Sequence, residues 1–442
     1  MNLKQLKEIF VKHGAQRILF KKLSANDNSK NQIYAGGDFS AVSILPCKNI
    51  RQDRTGELPH TNRTDKKIFK ADVDFCWINE KNELYPAPNV QMIMYPQYPE
   101  VRISGFLKGC DNPPSDLIQS REEGRILFFG ICSSGKILGY ITGGNSGLAK
   151  EIRDQVNIEQ KGVFFELSLF KGASSKEILI SDLRQIHLKE WIKGKRLTKY
   201  GTEIPYNAPN AGGYTLEAEL GILPQGFSEP DYLGWEIKQH KVNSFENTGV
   251  GIITLMTPEP DAGFYKDKGA EAFIRKFGHP DHSGKKDRLN FGGIHYIKRK
   301  NPNTGLTLIL EGYDSETNRI NSVDGGICLT DGDNILAKWS YIGIIEHWKR
   351  KHSQAAYIPS LCKIAVQGRA YWFGPIIRLG EGTDILLLLK AMTIGSVYYD
   401  PGIKLEDINV KPKLKRRSQF RICSKNIAQL YRTLEAVDVR QA

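Results

Sequence analysis

Between about Gln16 and Ile180, apolar residues come in short runs separated by Gly, Pro and Asn. The runs are Arg17–Phe20, Val42–Leu45, Val73–Trp77, Val90–Tyr95, Val101–Ser104, Arg125–Phe129, Ile137–Ile141 and Gly162–Leu167. Short strands at regular intervals, with turn residues between them, predict an all-β unit of barrel or sandwich type. The rhythm changes near Ser181, where Leu183–Trp191 places apolar residues at helical spacing. The remainder mixes helix-like and strand-like stretches, as an α/β or α+β domain does. The predicted division is therefore 1–180 and 181–442, with the boundary falling between about 175 and 185.

Within the second part, three carboxylates and a lysine gather in a short stretch. A helix-like segment, Thr215–Leu220, carries Glu217, and Pro230–Lys238 follows with Asp231, Glu236 and Lys238. If Trp235–Lys238 is extended, side chains alternate between faces, so Glu236 and Lys238 share one face while Ile237 enters the core. Asp231 then starts the preceding strand of a hairpin, with Tyr232-Leu233-Gly234 as its turn, and its carboxylate can share a cation with Glu236. Oxygen ligands suit Mg²⁺. Such an ion polarises a phosphodiester and acidifies a bound water, while the lysine holds that water or meets developing negative charge. The expected roles are Asp231 and Glu236 as metal ligands, Lys238 beside the attacking water, and Glu217 ordering the site. Glu219 is the alternative to Glu217, projecting from another helix face. A Glu-Ile-Lys strand is also a common surface feature, so this pattern alone does not decide between a hairpin and a catalytic centre. The strand-like Val250–Met256 follows it.

Charge points the same way. The chain of 442 residues carries a formal net charge of +13, which favours an anionic partner, of which nucleic acid is the commonest. Lys411–Arg417 is a basic run that reads either as a solvated face or as a clamp on a phosphate backbone. The seven cysteines are scattered and form no CxxC pair, which argues against a disulfide framework and a zinc knuckle. Met1–Phe10 has charges between its apolar residues, unlike a signal peptide, and Ile385–Leu389 is too short to span a bilayer. A cytoplasmic location without membrane contact is expected.

Two further patterns are set aside. Gly130–Lys136 imitates a phosphate-binding loop, but Ile137 stands where Ser or Thr would reach Mg²⁺ and a strand-like run follows, so a hairpin turn is expected. His279 and His282 flank Pro280 and Asp281 with no further ligands nearby, so a loop is expected there.

Gly212–Glu217, Leu220-Gly221 and Pro230–His240 together resemble the MvaI/BcnI family of monomeric PD-(D/E)XK restriction endonucleases. That family's helical glutamate, aspartate, glutamate and lysine correspond to Glu217, Asp231, Glu236 and Lys238. Looser echoes are Phe273–Phe277 with Gly284–Asp287, Trp339–Ile345, Gly368–Leu379 and Gly395–Asp400, so the resemblance spans roughly 186–410. It implies a nuclease domain with a mixed central sheet flanked by helices. The family's C-terminal active-site histidine has no counterpart between Gly368 and Leu379, where Tyr371 and Trp372 stand. This leaves open whether His295, His347, His352 or none completes the site.

Lys22–Asp27, with Gln32–Tyr34 after it, is similar to the start of the EcoRII effector domain, a B3-like pseudobarrel that grips DNA with two arms. The expected overall fold is thus an all-β B3-like pseudobarrel followed by an α/β nuclease domain. By the resemblance, the first arm is 24–31, with Lys22, Ser24, Asn26 and Asp27 as DNA contacts. The second lies near 105–125, with Lys108, Asn112 and Arg121. In the second part Lys285, Lys286, Arg288, Arg369 and Arg378 are the expected DNA contacts, since Arg and Lys read guanine edges and anchor phosphates.

The two resemblances imply a type II restriction endonuclease cutting at CCWGG (W being A or T). It would use Mg²⁺, act as a monomer and bind two copies of double-stranded DNA, effector and substrate, in a host protected by a cognate methyltransferase. The competing readings are a strand-nicking repair endonuclease of the MutH kind and a non-catalytic B3-type DNA-binding regulator.

Overall fold

The computed structural model describes residues 1–30, 32–53, 68–155, 158–168, 174–224, 232–366 and 368–441. The chain separates into two compact units, Met1–Ser174 and Ser175–Ala442.

The first unit is built on two sheets. The larger has seven strands in the order Glu159–Lys161, Phe164–Leu167, Ala15–Lys22, Ile126–Cys132, Ile137–Thr142, Phe75–Ile78 and Leu84–Pro86. The smaller has five, in the order Ile33–Gly36, Glu100–Ser104, Gln91–Tyr95, Ile68–Asp72 and Lys48–Asp53. The helix Leu3–Lys12 covers the larger sheet. Asn2 and Gln5 cap it reciprocally, each side chain accepting from the other's backbone N–H at 2.9 Å. Leu3, Leu6 and Phe10, one face of that helix, join Ile18, Phe20, Phe128 and Leu138 in the core.

Of the predicted strands, Val42–Leu45 is instead the short helix Ala41–Ile44. An apolar run of four residues cannot distinguish the two states. Here Asp38 accepts from the N–H of Ser40 at 2.7 Å and tightens the chain into a turn, and Leu45 returns to extended backbone before Pro46. The segment Gly130–Lys136 is a hairpin turn between antiparallel strands, closed by the Gly135 N–H on the Cys132 carbonyl.

The second unit opens with the helix Ser175–Leu188, earlier than the predicted Leu183–Trp191. A division at residue 180 would cut it. Its buried residues, Leu179, Ile180, Leu183, Ile186 and His187, form one stripe, and the chain turns away at Glu190, which takes a positive φ of 53°.

The main sheet is organised around the long strand Gln354–Ala365. Glu236–Lys241 runs parallel to it, while Gly368–Phe373 and Ile376–Glu381 pair with its two halves in antiparallel fashion. Ile192–Lys193 and Thr433–Asp438 extend the sheet beyond these. One face carries Trp235, Ile237, Ala356, Ile358, Tyr371, Phe373 and Leu379 into a core shared with Leu179, Leu183, Ala211 and Leu216 of the helices Ser175–Leu188 and Ala211–Glu219. The apolar run at Ile385–Leu389 lies inside the buried helix Ile385–Thr393, capped by the Asp384 carboxylate. Among the described residues no helix is long and apolar enough to cross a membrane.

Candidate active site

The hairpin leading into the Glu236 strand is closed by Tyr232 and Trp235, which exchange both backbone hydrogen bonds at 2.9 and 2.8 Å. Its two central residues, Leu233 and Gly234, have φ of 50° and 89°, the left-handed pair of a tight two-residue hairpin turn. Glycine tolerates this freely, whereas leucine adopts it at a cost. Asp231, the residue before this turn, lies outside the described residues.

From Trp235 onward the strand alternates as expected. Trp235 and Ile237 enter the apolar core, and Glu236, Lys238 and His240 face the other side. Glu236 is 2% exposed, and Lys238 Nζ donates to its Oε1 at 2.5 Å. The lysine side chain is 19% exposed, so the acid is sealed while the amine reaches the surface.

Across the sheet, Glu236 is level with Ala355 and Gly380, and Lys238 with Tyr357 and Arg378. The small residues at 355 and 380 leave room above them. A Cβ at Gly380 would lie 2.6 Å from a carbon of the Tyr431 ring, so that ring rests directly on the sheet. The Tyr431 and Tyr357 hydroxyls meet at 2.8 Å. Burial pushes both phenols above their ordinary range; their mutual hydrogen bond raises Tyr431 further and holds Tyr357 back, and the negative charge of Glu236 adds a smaller upward push to each.

Glu217 and Glu219 share the last turn of the helix Ala211–Glu219 but differ in setting. The Glu219 side chain, 4% exposed, is ion-paired with Lys189 at 2.6 Å and also with Lys195. Burial alone would raise its pKa, but hydrogen bonds from the two lysines hold it below the usual carboxylate range. Glu219 thus pins the helix to its neighbours. Glu217 is half-buried next to the core residue Leu216. Among the described residues no three His, Cys, Asp or Glu side chains gather closely enough to hold a metal ion. What the described part contributes toward one is the sealed Glu236 carboxylate with an ammonium against it, a donor that suits a hard divalent cation.

Of the three histidines left open by the sequence, His295 and His352 are fully buried. His295 bonds Thr304 Oγ1 at 2.9 Å, and burial brings its pKa down to about 4. His352 donates to the Leu255 carbonyl at 3.1 Å and stacks on Trp348. His347 is exposed. The histidine on the face of Glu236 and Lys238 is His240, whose pKa is lowered to about 4 by burial and then by the nearby Arg378 cation. The alternation Glu-x-Lys-x-His contained that signal.

The expected DNA contacts fall into several settings. Ser24, Asn26 and Asp27 line a pocket of about 420 Å³ with Gln32, Tyr34 and Arg102 in the first unit. Asp27 is its floor rather than its lip. Only 4% exposed, it accepts from Lys21 Nζ at 2.7 Å, from the N–H and hydroxyl of Ser24 at 3.1 Å, and from the Tyr34 N–H at 2.8 Å. Behind the loop, the fully buried Arg125 donates to the carbonyls of Ser24, Asp27, Leu117 and Glu122. It thereby ties the two expected arms together. Lys22, Lys108, Asn112 and Arg121 are exposed.

In the second unit Lys285 and Lys286 are exposed, while Arg288 is engaged by Asp281 at 3.1 Å and Glu406 at 3.6 Å. Arg369 is half-buried, and Arg378 donates to the Ser424 carbonyl at 3.0 Å. In the basic run, Lys413 and Lys415 pair with Asp407 and Glu406, whereas Lys411, Arg416 and Arg417 are exposed. His279 and His282 stack at 4.5 Å beside Asp281, which bonds Ser283 and Asn290.

Residues 180–431 match the MvaI/BcnI restriction endonuclease family. The buried Glu236 carboxylate and its partner Lys238, two residues apart on a sheet strand, lie inside that match. The chain is a member of the MvaI/BcnI restriction endonuclease family. Among solved structures it is similar to restriction endonuclease MvaI in complex with cognate DNA, at 17% identity and a TM-score of 0.45, over 60% of this chain and 99% of MvaI. It is also similar to MvaI without DNA, at 17% identity and a TM-score of 0.34, over 61% of this chain and all of MvaI. No functionally curated protein matches the chain.

Proposed function

We propose that this restriction endonuclease hydrolyses phosphodiester bonds in double-stranded DNA at a short specific sequence, with Mg²⁺ held by Glu236 and Asp231. The observation that carries this is the Glu236–Lys238 pair, fixed on one strand face within the family match. When bound, the metal supplies Lewis-acid activation of the phosphate and a more acidic water. Lys238 keeps its ammonium beside the sealed carboxylate, where it can hold the attacking water or meet charge developing on the phosphate. Glu217 orders the site from the adjoining helix, and Glu219 is ion-paired with Lys189 and Lys195.

The target CCWGG, the B3-like character of the first unit and its binding of a second DNA copy as effector rest on resemblance, including a domain order like that of the restriction enzyme UbaLAI. The pocket at Ser24–Tyr34 and its buried supports are compatible with a preformed DNA-reading surface. We read the enzyme as a cytoplasmic monomer paired in its host with a protective methyltransferase.

The test is digestion of phage DNA by the purified full-length chain with Mg²⁺, followed by sequencing of the ends. Discrete double-strand ends at one sequence are expected. Products that stop at nicked circles on a plasmid would favour a MutH-like task, and specific binding with no scission would favour a regulator.

A further inference from the structure

We propose that Lys193, Arg196 and Lys363 form a phosphate-contacting shelf for the duplex that flanks the cleavage site, a surface of the second unit that binds DNA without reading its sequence. The inference rests on the reading of this unit as an endonuclease acting at Glu236, and names where the substrate runs beyond that residue.

The sheet register places the shelf. Lys193, Ala370 and Lys363 lie side by side on three adjacent strands, so the two lysines flank a methyl group with their Cα atoms about 10 Å apart. In the same strands Ile192, Tyr371 and Cys362 turn to the core. That sends the lysine row to the opposite face, which is the face of Glu236 and Lys238. Glu236 is level with Ala355 on the long strand, and from Ala355 to Lys363 that strand advances about 26 Å. Phosphates follow one another at about 3.4 Å along the axis of a DNA strand, so the row lies about eight nucleotides from the carboxylate. That is the distance of flanking DNA, not of the bond that is cut.

How these cations are held sets them apart from their neighbours. Lys189 and Lys195 pair with Glu219, and Lys195 with Glu203 as well. Lys193, Arg196 and Lys363 are exposed, and among the described residues they meet no carboxylate. Two of them rest on aromatic rings instead. Lys363 Nζ lies 4.1 Å from the centre of the Trp191 ring, and the Arg196 guanidinium lies 4.9 Å from that of Tyr206. Tyr206 is fixed in turn by its N–H on the Gly194 carbonyl at 2.8 Å, and the Gly194 N–H donates to the Arg369 carbonyl at 2.8 Å. A ring beneath a cation orients it and leaves its hydrogen-bond donors unspent, whereas a carboxylate takes up both charge and donors. Exposed cations held with their donors free suit a phosphate backbone, and each that meets a phosphate releases counterions.

The experiment measures cleavage by the full-length protein of a duplex carrying the mapped site, at salt from about 50 to 200 mM. The variants are Lys193→Gln, Arg196→Gln and Lys363→Gln, singly and together. Each single change should raise KM and reduce the slope of log(kcat/KM) against log salt by about one, and the triple change by about three. The kcat and the melting temperature should stay at wild-type values. Cutting the flanks to about three base pairs, short of the shelf at about 3.4 Å per step, should raise the wild-type KM to that of the triple variant and leave the variant unchanged. A triple variant with the wild-type slope and KM overturns the proposal, as does equal sensitivity of the two proteins to flank length. A fall in kcat at unchanged KM also overturns it, because it places the three residues in the chemistry and not in DNA binding. Wild-type protein that cleaves no DNA removes the endonuclease reading and this proposal with it, whereas unaffected variants of an active enzyme remove the shelf alone.

Discussion

Asp27 in the first unit and Glu236 in the second are both nearly sealed from solvent, and each has a lysine ammonium against it, at 2.7 and 2.5 Å. Their surroundings differ. Asp27 is met by two backbone N–H groups and a hydroxyl besides Lys21, a buried lysine, and the loop around it is held from behind by Arg125. Those donors exist only in one loop conformation, so the cluster can be broken but not exchanged. Glu236 has its lysine on the same strand with one-fifth of that side chain open to solvent, and beside it in the sheet stand the small residues Ala355 and Gly380. An ammonium on a flexible stem can give way to another cation or turn to a phosphate. A buried ion pair is therefore no evidence of catalysis by itself; the two pairs differ in how far the lysine reaches solvent.

The contrast is sharpest in substitutions. Lys238→Ala should lower single-turnover cleavage by about 10³-fold, on the scale of losing a preorganised charge-stabilising donor, while gel-shift binding to DNA in Ca²⁺ persists. Cleavage at the wild-type rate would remove Lys238 from the chemistry. Asp27→Ala should leave Lys21 buried without its counter-charge and cost about 3–5 kcal/mol. Hydrogen exchange across 15–34 should register that loss, with the Glu236 strand unaffected.

A third test concerns buried groups that must stay neutral. His240 and His295 have folded pKa values lowered to about 4, below the ordinary 6.5 of the unfolded chain. The unfolded state then binds more protons between these values, so stability should fall as pH drops from about 6.5 toward 4. Thermal melts across that window should show the decline, and His295→Gln should flatten it. The smallest expected effect is at the turn. Leu233→Asn supplies the residue a left-handed hairpin corner prefers and should stabilise by about 0.5–1 kcal/mol, measured by urea titration.

Much of the second unit's local structure was legible because it follows short-range rules. Alternation placed Glu236 and Lys238 on one face, Leu233-Gly234 forms the expected turn, and the helix around Thr215–Leu220 exists, beginning earlier at Ala211. His240 was legible by the same alternation. What the sequence concealed depends on strand register between distant segments. Nothing near Glu236 indicates that Gly380 makes space for Tyr431, or that Tyr357 falls beside Lys238. Arg125 was hidden for a related reason, since a lone arginine beside an apolar run gives no sign that four carbonyls await it. The pairing of Glu219 with Lys189 and Lys195 was hidden as well, since those lysines reach it from separate elements.

The Glu236 strand has Gln354–Ala365 as its sheet partner, and the Tyr431 ring rests on Gly380, which also pairs with that long strand. Parallel pairing of segments so far apart forms late, because the intervening loop must first be closed. On the ribosome, Glu236 and Lys238 emerge well before the strand Gln354–Ala365 against which they are placed. A nascent chain that has reached Lys241 therefore carries the Glu236–Lys238 pair without the sheet partner that fixes it, so the pair takes its folded arrangement only after Gln354–Ala365 has followed.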